Sequence, residues 1–193
     1  MRRAHTMVRG ETMPETYPYN RQHAYEYAMR WALAQNPLFY HFAGIGGDCT
    51  NFISQCVLAG SGVMNDTKTF GWYYYALSSR SPSWTGVQYF YNFITENRGV
   101  GPFASIVDRD GVALGDVVQL GHSDGTFYHT LLVTGRTARE LYVCAHSFDA
   151  KNRALSSYQY DDARFLHIEG VRSEPWQKPF RFDRLLAGSG LTV

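Results

Sequence analysis

Cysteine is scarce in this chain, with three residues in 193, at positions 49, 56 and 144. The number is odd and no C-x-x-C pair occurs. A disulfide-stapled scaffold and a cysteine zinc site are therefore excluded as organising features. A surplus of either charge is also missing. Eighteen Lys and Arg against 17 Asp and Glu leave a formal net charge of +1. There is no block of like charges, so attraction to nucleic acid or to a membrane surface is not indicated. No apolar run approaches the length of a membrane-crossing helix. The opening residues Met1-Arg2-Arg3-Ala4-His5-Thr6-Met7 carry charge with no apolar stretch behind them, and do not read as a signal peptide. Glycine-rich dinucleotide fingerprints, Walker sequences and H-E-x-x-H or H-x-x-x-H spacings are absent, so neither cofactor nor metal is expected. No repeat or low-complexity tract occurs.

Aromatic residues, in contrast, are plentiful: 14 Tyr, 12 Phe and 4 Trp make up 16% of the chain. Such a surplus fills a core, and also suits a groove that grips an extended peptide or a sugar. Residues 1–18 mix Pro, Glu, Thr and Arg without periodicity and read as an N-terminal arm, poorly ordered or extended. Residues 19–193 read as a single domain, long enough for a sizeable core. From Asn20, the positions Ala24, Tyr27, Ala28 and Trp31 fall on one helical face, and Asn36-Pro37 closes that segment. A second helix begins near Cys49, buries Phe52, Ile53, Cys56 and Val57, and stops at Ala59-Gly60-Ser61-Gly62. Residues 63–85 read as a long connection and Val87 to Glu96 as a short helix. Beyond Gly111 the period changes to two. Asp116–Leu120, Tyr128–Thr134 and Glu140–Ser147 read as strands, with a hairpin turn at Gly121–Gly125. Arg164 to Asp183 adds one or two more. Helices first and an antiparallel meander after them indicate an α+β fold.

The segment Gly46-Gly47-Asp48-Cys49 carries the most chemical information. Two glycines allow a sharp turn, and Asp48 suits an N-cap. Cys49 would then stand at the first helical position, where the positive end of the helix favours thiolate over thiol. That is the setting of a nucleophile; the plainer reading is an ordinary helix start with a small buried hydrophobe. A cysteine nucleophile needs a base that takes its proton and later returns it to the leaving group. His129, at the start of the apolar run His129-Thr130-Leu131-Leu132-Val133, is the best candidate, at a strand end open to a cleft. The base needs an acceptor to fix its tautomer. His146 shares a strand face with Tyr142 and Cys144 and could stand beside His129; Asp149, three residues on, is the alternative. His23, His41, His122 and His167 rank lower.

These residues also carry a family resemblance. Tyr19-Asn20-Arg21-x-x-Ala24-x-x-Tyr27-Ala28-x-x-Trp31, then Asn36-Pro37, then Gly46-Gly47-Asp48-Cys49-Thr50-Asn51-Phe52-x-Ser54-Gln55-Cys56, resembles the putative amidase domain family of bacteria, a relative of the NlpC/P60 and CHAP cysteine hydrolases. Trp72, Ser83-Trp84, Leu114-Gly115-Asp116-Val117-Val118, His129 and Ala145-His146-Ser147 fit the same pattern, which runs from about Tyr19 to about Ser156. The resemblance implies a papain-like fold with Cys49 as nucleophile and His129 as base. His146 falls where CHAP-like domains carry their acceptor. It also implies amide hydrolysis through a thioester, with bacterial cell-wall peptide as a substrate class and secretion or wall association as a setting. A peptide- or glycan-binding module without turnover, and an acyltransferase on the same fold, are the alternatives.

Overall fold

The computed structural model describes residues 14–191 and 193. The reading of residues 1–13 as part of an arm lies outside them. Residues 15–17 form a short strand, β1 (Glu15–Tyr17), paired antiparallel with a long late strand, β9 (Asp162–Ser173).

The first helix, α1 (Arg21–Trp31), buries Ala24, Tyr27, Ala28 and Trp31, the face that the spacing predicts. The Asn20 side chain accepts from the His23 amide at 3.0 Å and caps its N-terminus. The second helix, α2 (Cys49–Ser61), is the centre of the molecule: every residue from Cys49 to Gly60 is buried. A helix buried all round must pair each polar side chain inside the protein, and this one does. Ser54 Oγ donates to the Trp84 carbonyl and receives Trp72 Nε1, at 2.9 and 3.0 Å. Gln55 Oε1 accepts the Tyr27 hydroxyl at 2.8 Å. Asn51 Oδ1 accepts Trp84 Nε1 at 2.9 Å. The helix ends at Gly62, whose φ of +70° closes it in the left-handed region.

Residues 63–85 are less plain than a connection. They contain a two-stranded ribbon, β2 (Tyr74–Ala76) with β3 (Ser79–Arg80), and a single turn, α3 (Pro82–Thr85). α4 (Val87–Glu96) follows where the sequence places it. The sheet then builds from β4 (Gly101–Val107), β5 (Val117–Gly121), β6 (Phe127–Arg136), β7 (Leu141–Ala145), β8 (Ala150–Ala154) and β9, and α5 (Phe182–Ala187) closes the chain. All seven strands of this sheet pair antiparallel. β5 to β7 form the expected meander, which β8 extends, but β9 returns to lie between β5 and β4 and also receives β1. The fold is thus α+β, and its sheet is more than a meander.

Strand alternation divides the core in two. Val117, Leu132, Cys144, Leu166 and Ile168 face α1 and α2. Val118, Leu120, Leu131, Val133, Val143 and Ala145 face the other way, against Val112, Leu155 and the edge of Tyr158.

Candidate active site

Cys49 is the first residue of α2, with its side chain buried. Gly46 and Gly47 precede it at φ +95° and +100°, the conformation that a side chain would strain. The turn is held from outside by the end of β7. The Asp48 amide donates to Ser147 Oγ at 2.6 Å, and Ser147 itself sits at φ +76°, uncommon for a residue with a Cβ.

Asp48 stands at the N-cap position, but its side chain does not cap: the carboxylate makes no bond to the first-turn amides. Oδ1 accepts from the Phe42 amide and from Asn51 Nδ2, at 2.9 and 2.8 Å. Oδ2 lies 2.7 Å from His146 Nδ1. The capping expectation fails because stronger partners converge on the buried carboxylate from three elements. The consequence is chemical, since the positive end of α2 is not covered by the carboxylate one residue away.

The Cys49 thiol lies 3.8 Å from Thr50 Oγ1 and receives the Thr130 backbone amide. Thr50 and Thr130 join their hydroxyls at 2.9 Å. Burial pushes the thiol above its usual range, against the opposing help of these hydrogen bonds. Desolvation thus opposes the thiolate that the helix terminus favours.

His129 lies on β6 one residue before Thr130, and the two point to opposite faces. Thr130 pairs with Gln119, whose Nε2 reaches both Thr130 Oγ1 and the Val87 carbonyl of α4. His129 pairs with Leu120, on the face away from α2. The ring is 7% exposed rather than open to a cleft. Its Nε2 has no hydrogen-bond partner among the described residues, so this nitrogen and the thiol are not bonded to each other. Burial, and then the charge of Arg153, push the imidazole down to about 4. Burial thus holds both groups toward their neutral forms, Cys49 at the start of α2 and His129 on β6, one residue before the Thr130 that bonds Thr50.

His146 is not brought to the His129 ring. It follows the end of β7, 1% exposed, and stacks on Phe52 at 3.8 Å. Nδ1 meets Asp48, and Nε2 lies 3.0 Å from the Trp31 carbonyl. A carbonyl only accepts, so Nε2 carries a hydrogen and donates. His146 therefore ties α1, β7 and the Cys49 turn together. Asp149 stands exposed in the turn after β7. Cys56 and Cys144 are buried free thiols, also pushed up by burial.

Of the lower-ranked histidines, His167 pairs through Nδ1 with buried Asp116 at 2.6 Å, beside Arg21 at 2.6 Å from the same carboxylate. This explains the Gly115-Asp116 motif as a clamp between α1, β5 and β9. The roles of Asn51, Ser54, Gln55, Ser147 and Tyr158 were not read from the sequence; only the helical 3- and 4-residue spacing of Asn51, Ser54 and Gln55 hinted at a helix buried all round. A cavity of about 480 Å³ lies apart from Cys49, against Asn65, Phe70, Tyr89 and Asn92. A second, of about 340 Å³, lies against Tyr17, Val63 and Val171. No described helix is long and apolar enough to cross a membrane.

The chain is 28% identical over 157 residues to the uncharacterized protein YhbB of Bacillus subtilis (strain 168), a match covering 79% of this chain and 48% of that protein. It is 28% identical over 142 residues to the uncharacterized protein YjcM of the same organism, covering 69% of this chain and 32% of the relative. The chain thus spans less than half the length of either curated relative. No solved structure gives a significant match. The profile described as "Putative amidase domain" matches residues 18–169, most of the chain and all of the elements around Cys49. The chain belongs to the putative amidase domain family.

Proposed function

We propose that this chain is a cysteine-dependent amide hydrolase of the papain-like kind, in the NlpC/P60 and CHAP group, with Cys49 as nucleophile and His129 as base. One observation carries the reading. Cys49 opens a buried helix whose first amides the neighbouring carboxylate leaves uncapped, and Thr50 ties that helix start at 2.9 Å to Thr130, the residue after a neutral, incompletely bonded His129.

The chemistry follows from the neutral pair. As the thiol sulfur attacks an amide carbonyl, its proton passes to His129. The Cys49 amide and the positive helix end face the developing oxyanion. His129 then gives the proton to the leaving amine, the C–N bond breaks, and a thioester remains on Cys49. A water, deprotonated by His129, releases the acid and restores the thiol. A raised thiol and a lowered imidazole suit proton transfer during attack rather than a preformed ion pair. Asp48, His146 and Ser147 support the nucleophile by fixing its turn. Family relationship points to bacterial cell-wall peptide as the substrate class.

The same burial also favours a second reading. A thiol pushed up and an imidazole not bonded to it through Nε2 suit a non-catalytic module that binds peptide or glycan with its aromatic surface. An acyltransferase would use the same thioester with an amine in place of water. Incubation with purified peptidoglycan and mass spectrometry of released fragments separates these. Hydrolysis yields free acid and amine from the wild type and none from Cys49→Ala; a binding module yields retention without fragments; added amine diverts product only for a transferase.

A further inference from the structure

Two buried side-chain atoms among the described residues lack a hydrogen-bond partner: His129 Nε2 and the Tyr158 hydroxyl. Buried polar atoms are nearly always paired, because leaving one unpaired costs about 1–3 kcal/mol. Two such atoms in neighbouring rings therefore call for a common explanation. The rings are 6.1 Å apart between centroids and tilted by 41°. Both lie on the sheet face away from α2, where Leu120 stands opposite His129 and Tyr158 packs at the edge of the same apolar cluster.

Tyr158 is held in place. Its amide donates to the Leu155 carbonyl at 3.1 Å. The Arg153 guanidinium covers its ring at 4.1 Å and is itself fixed to Ser157 by bonds of 2.7 and 2.9 Å. The ring is thus pinned beside the imidazole, its hydroxyl near the Arg153 guanidinium but without a hydrogen bond of normal geometry.

We propose that Tyr158 is the positioning residue of His129, its hydroxyl oxygen accepting from Nε2–H across one water or after a small rotation of the phenol. The role rests on the reading of His129 as the base. Fixing the hydrogen on Nε2 leaves the lone pair on Nδ1, the nitrogen then free to take a proton. His146, the residue that sequence reasoning favours here, has both ring nitrogens engaged elsewhere. A phenol kept neutral by burial also agrees with an imidazole pushed down, which an adjacent carboxylate would oppose.

The test is nitrogen NMR of histidine-labelled protein, wild type against Tyr158→Phe. The substitution keeps the ring and its packing under Arg153 and removes only the hydroxyl oxygen; an unchanged melting temperature verifies that the fold is preserved. Wild-type His129 is expected as a single Nε2–H tautomer, shifting toward a mixture in Tyr158→Phe, with the His146 signals unmoved. Cys49 alkylation should slow by roughly tenfold in the variant, less than on removing the base itself. An unchanged His129 tautomer together with an unchanged alkylation rate overturns the assignment. The tautomer is read without substrate, so it is independent of whether Cys49→Ala abolishes hydrolysis, the result on which the amidase reading depends.

Discussion

His129 lies on β6 and His146 just past the end of neighbouring β7, both buried, yet their surroundings are opposite. His146 meets an acceptor at each nitrogen and an aromatic ring on its flat face. His129 has an unpartnered nitrogen, a cation nearby, and no anion among the causes that shift it. A saturated histidine fixes structure; one with an unused valence is free to exchange a proton. The Asp48–His146 pair looks like part of a catalytic triad, but its histidine bonds Asp48 and the Trp31 carbonyl through its two nitrogens. Asp116–His167 repeats the lesson across the sheet, with Arg21 compensating the carboxylate and no nucleophile among its bonded partners.

The contrast can be broken by exchanging the consequences of the two histidines. The largest effect is expected in activity. His129→Ala should lower turnover by about 10²–10⁴-fold, the usual contribution of a general base, while the fold persists. Assay of released amine beside thermal melting checks both. His146→Ala should do the reverse in kind: the variant leaves Asp48 buried without its partner and should lose about 3–5 kcal/mol in denaturant unfolding. Loss of activity without loss of stability in His146→Ala would place that ring in the chemistry after all.

A smaller effect follows from pH. His129 is pushed down to about 4, whereas the unfolded chain titrates near 6.5. Between these values the unfolded state binds the extra proton, so stability rises with pH across this window. The contribution is complete above about 6.5 and is lost as pH falls toward 4, about 3 kcal/mol in all. Unfolding curves of the wild type should fall relative to those of His129→Ala over that range; parallel curves would contradict the buried neutral imidazole. The smallest effect belongs to Asp149→Ala. Its side chain stands in an exposed turn, and both stability and turnover should stay within about 0.5 kcal/mol of wild type.

Much of the frame was legible because periodicity reports burial. The four buried positions of α1, the limits of α4 and the hairpin before β6 follow from spacing and glycine placement alone. β4 was hidden by Gly101-Pro102 at its start, and β8 by Lys151-Asn152-Arg153, an exposed run without alternation. Cys49 and His129 were legible as types in a local context. The direction of the cysteine shift was not, since it depends on desolvation by elements distant in sequence. The bonds of Asp48 were equally out of reach: an aspartate before a helix is a cap by local rules, and only the arrival of Phe42, Asn51 and His146 in space makes it a junction. Tyr158 had no sequence signal beyond being one tyrosine among fourteen.

The most direct test of Cys49 as a nucleophile served by His129 is site-resolved alkylation by iodoacetamide at about pH 7, followed by peptide mass spectrometry. Cys49, Cys56 and Cys144 are all buried thiols pushed up by their surroundings, so none is favoured by its resting charge. With His129 accepting the proton, Cys49 should label faster than the other two by on the order of a hundredfold, and His129→Ala should bring it down to their rate. Equal labelling of the three cysteines in the wild type, or a Cys49 rate indifferent to His129→Ala, would contradict it.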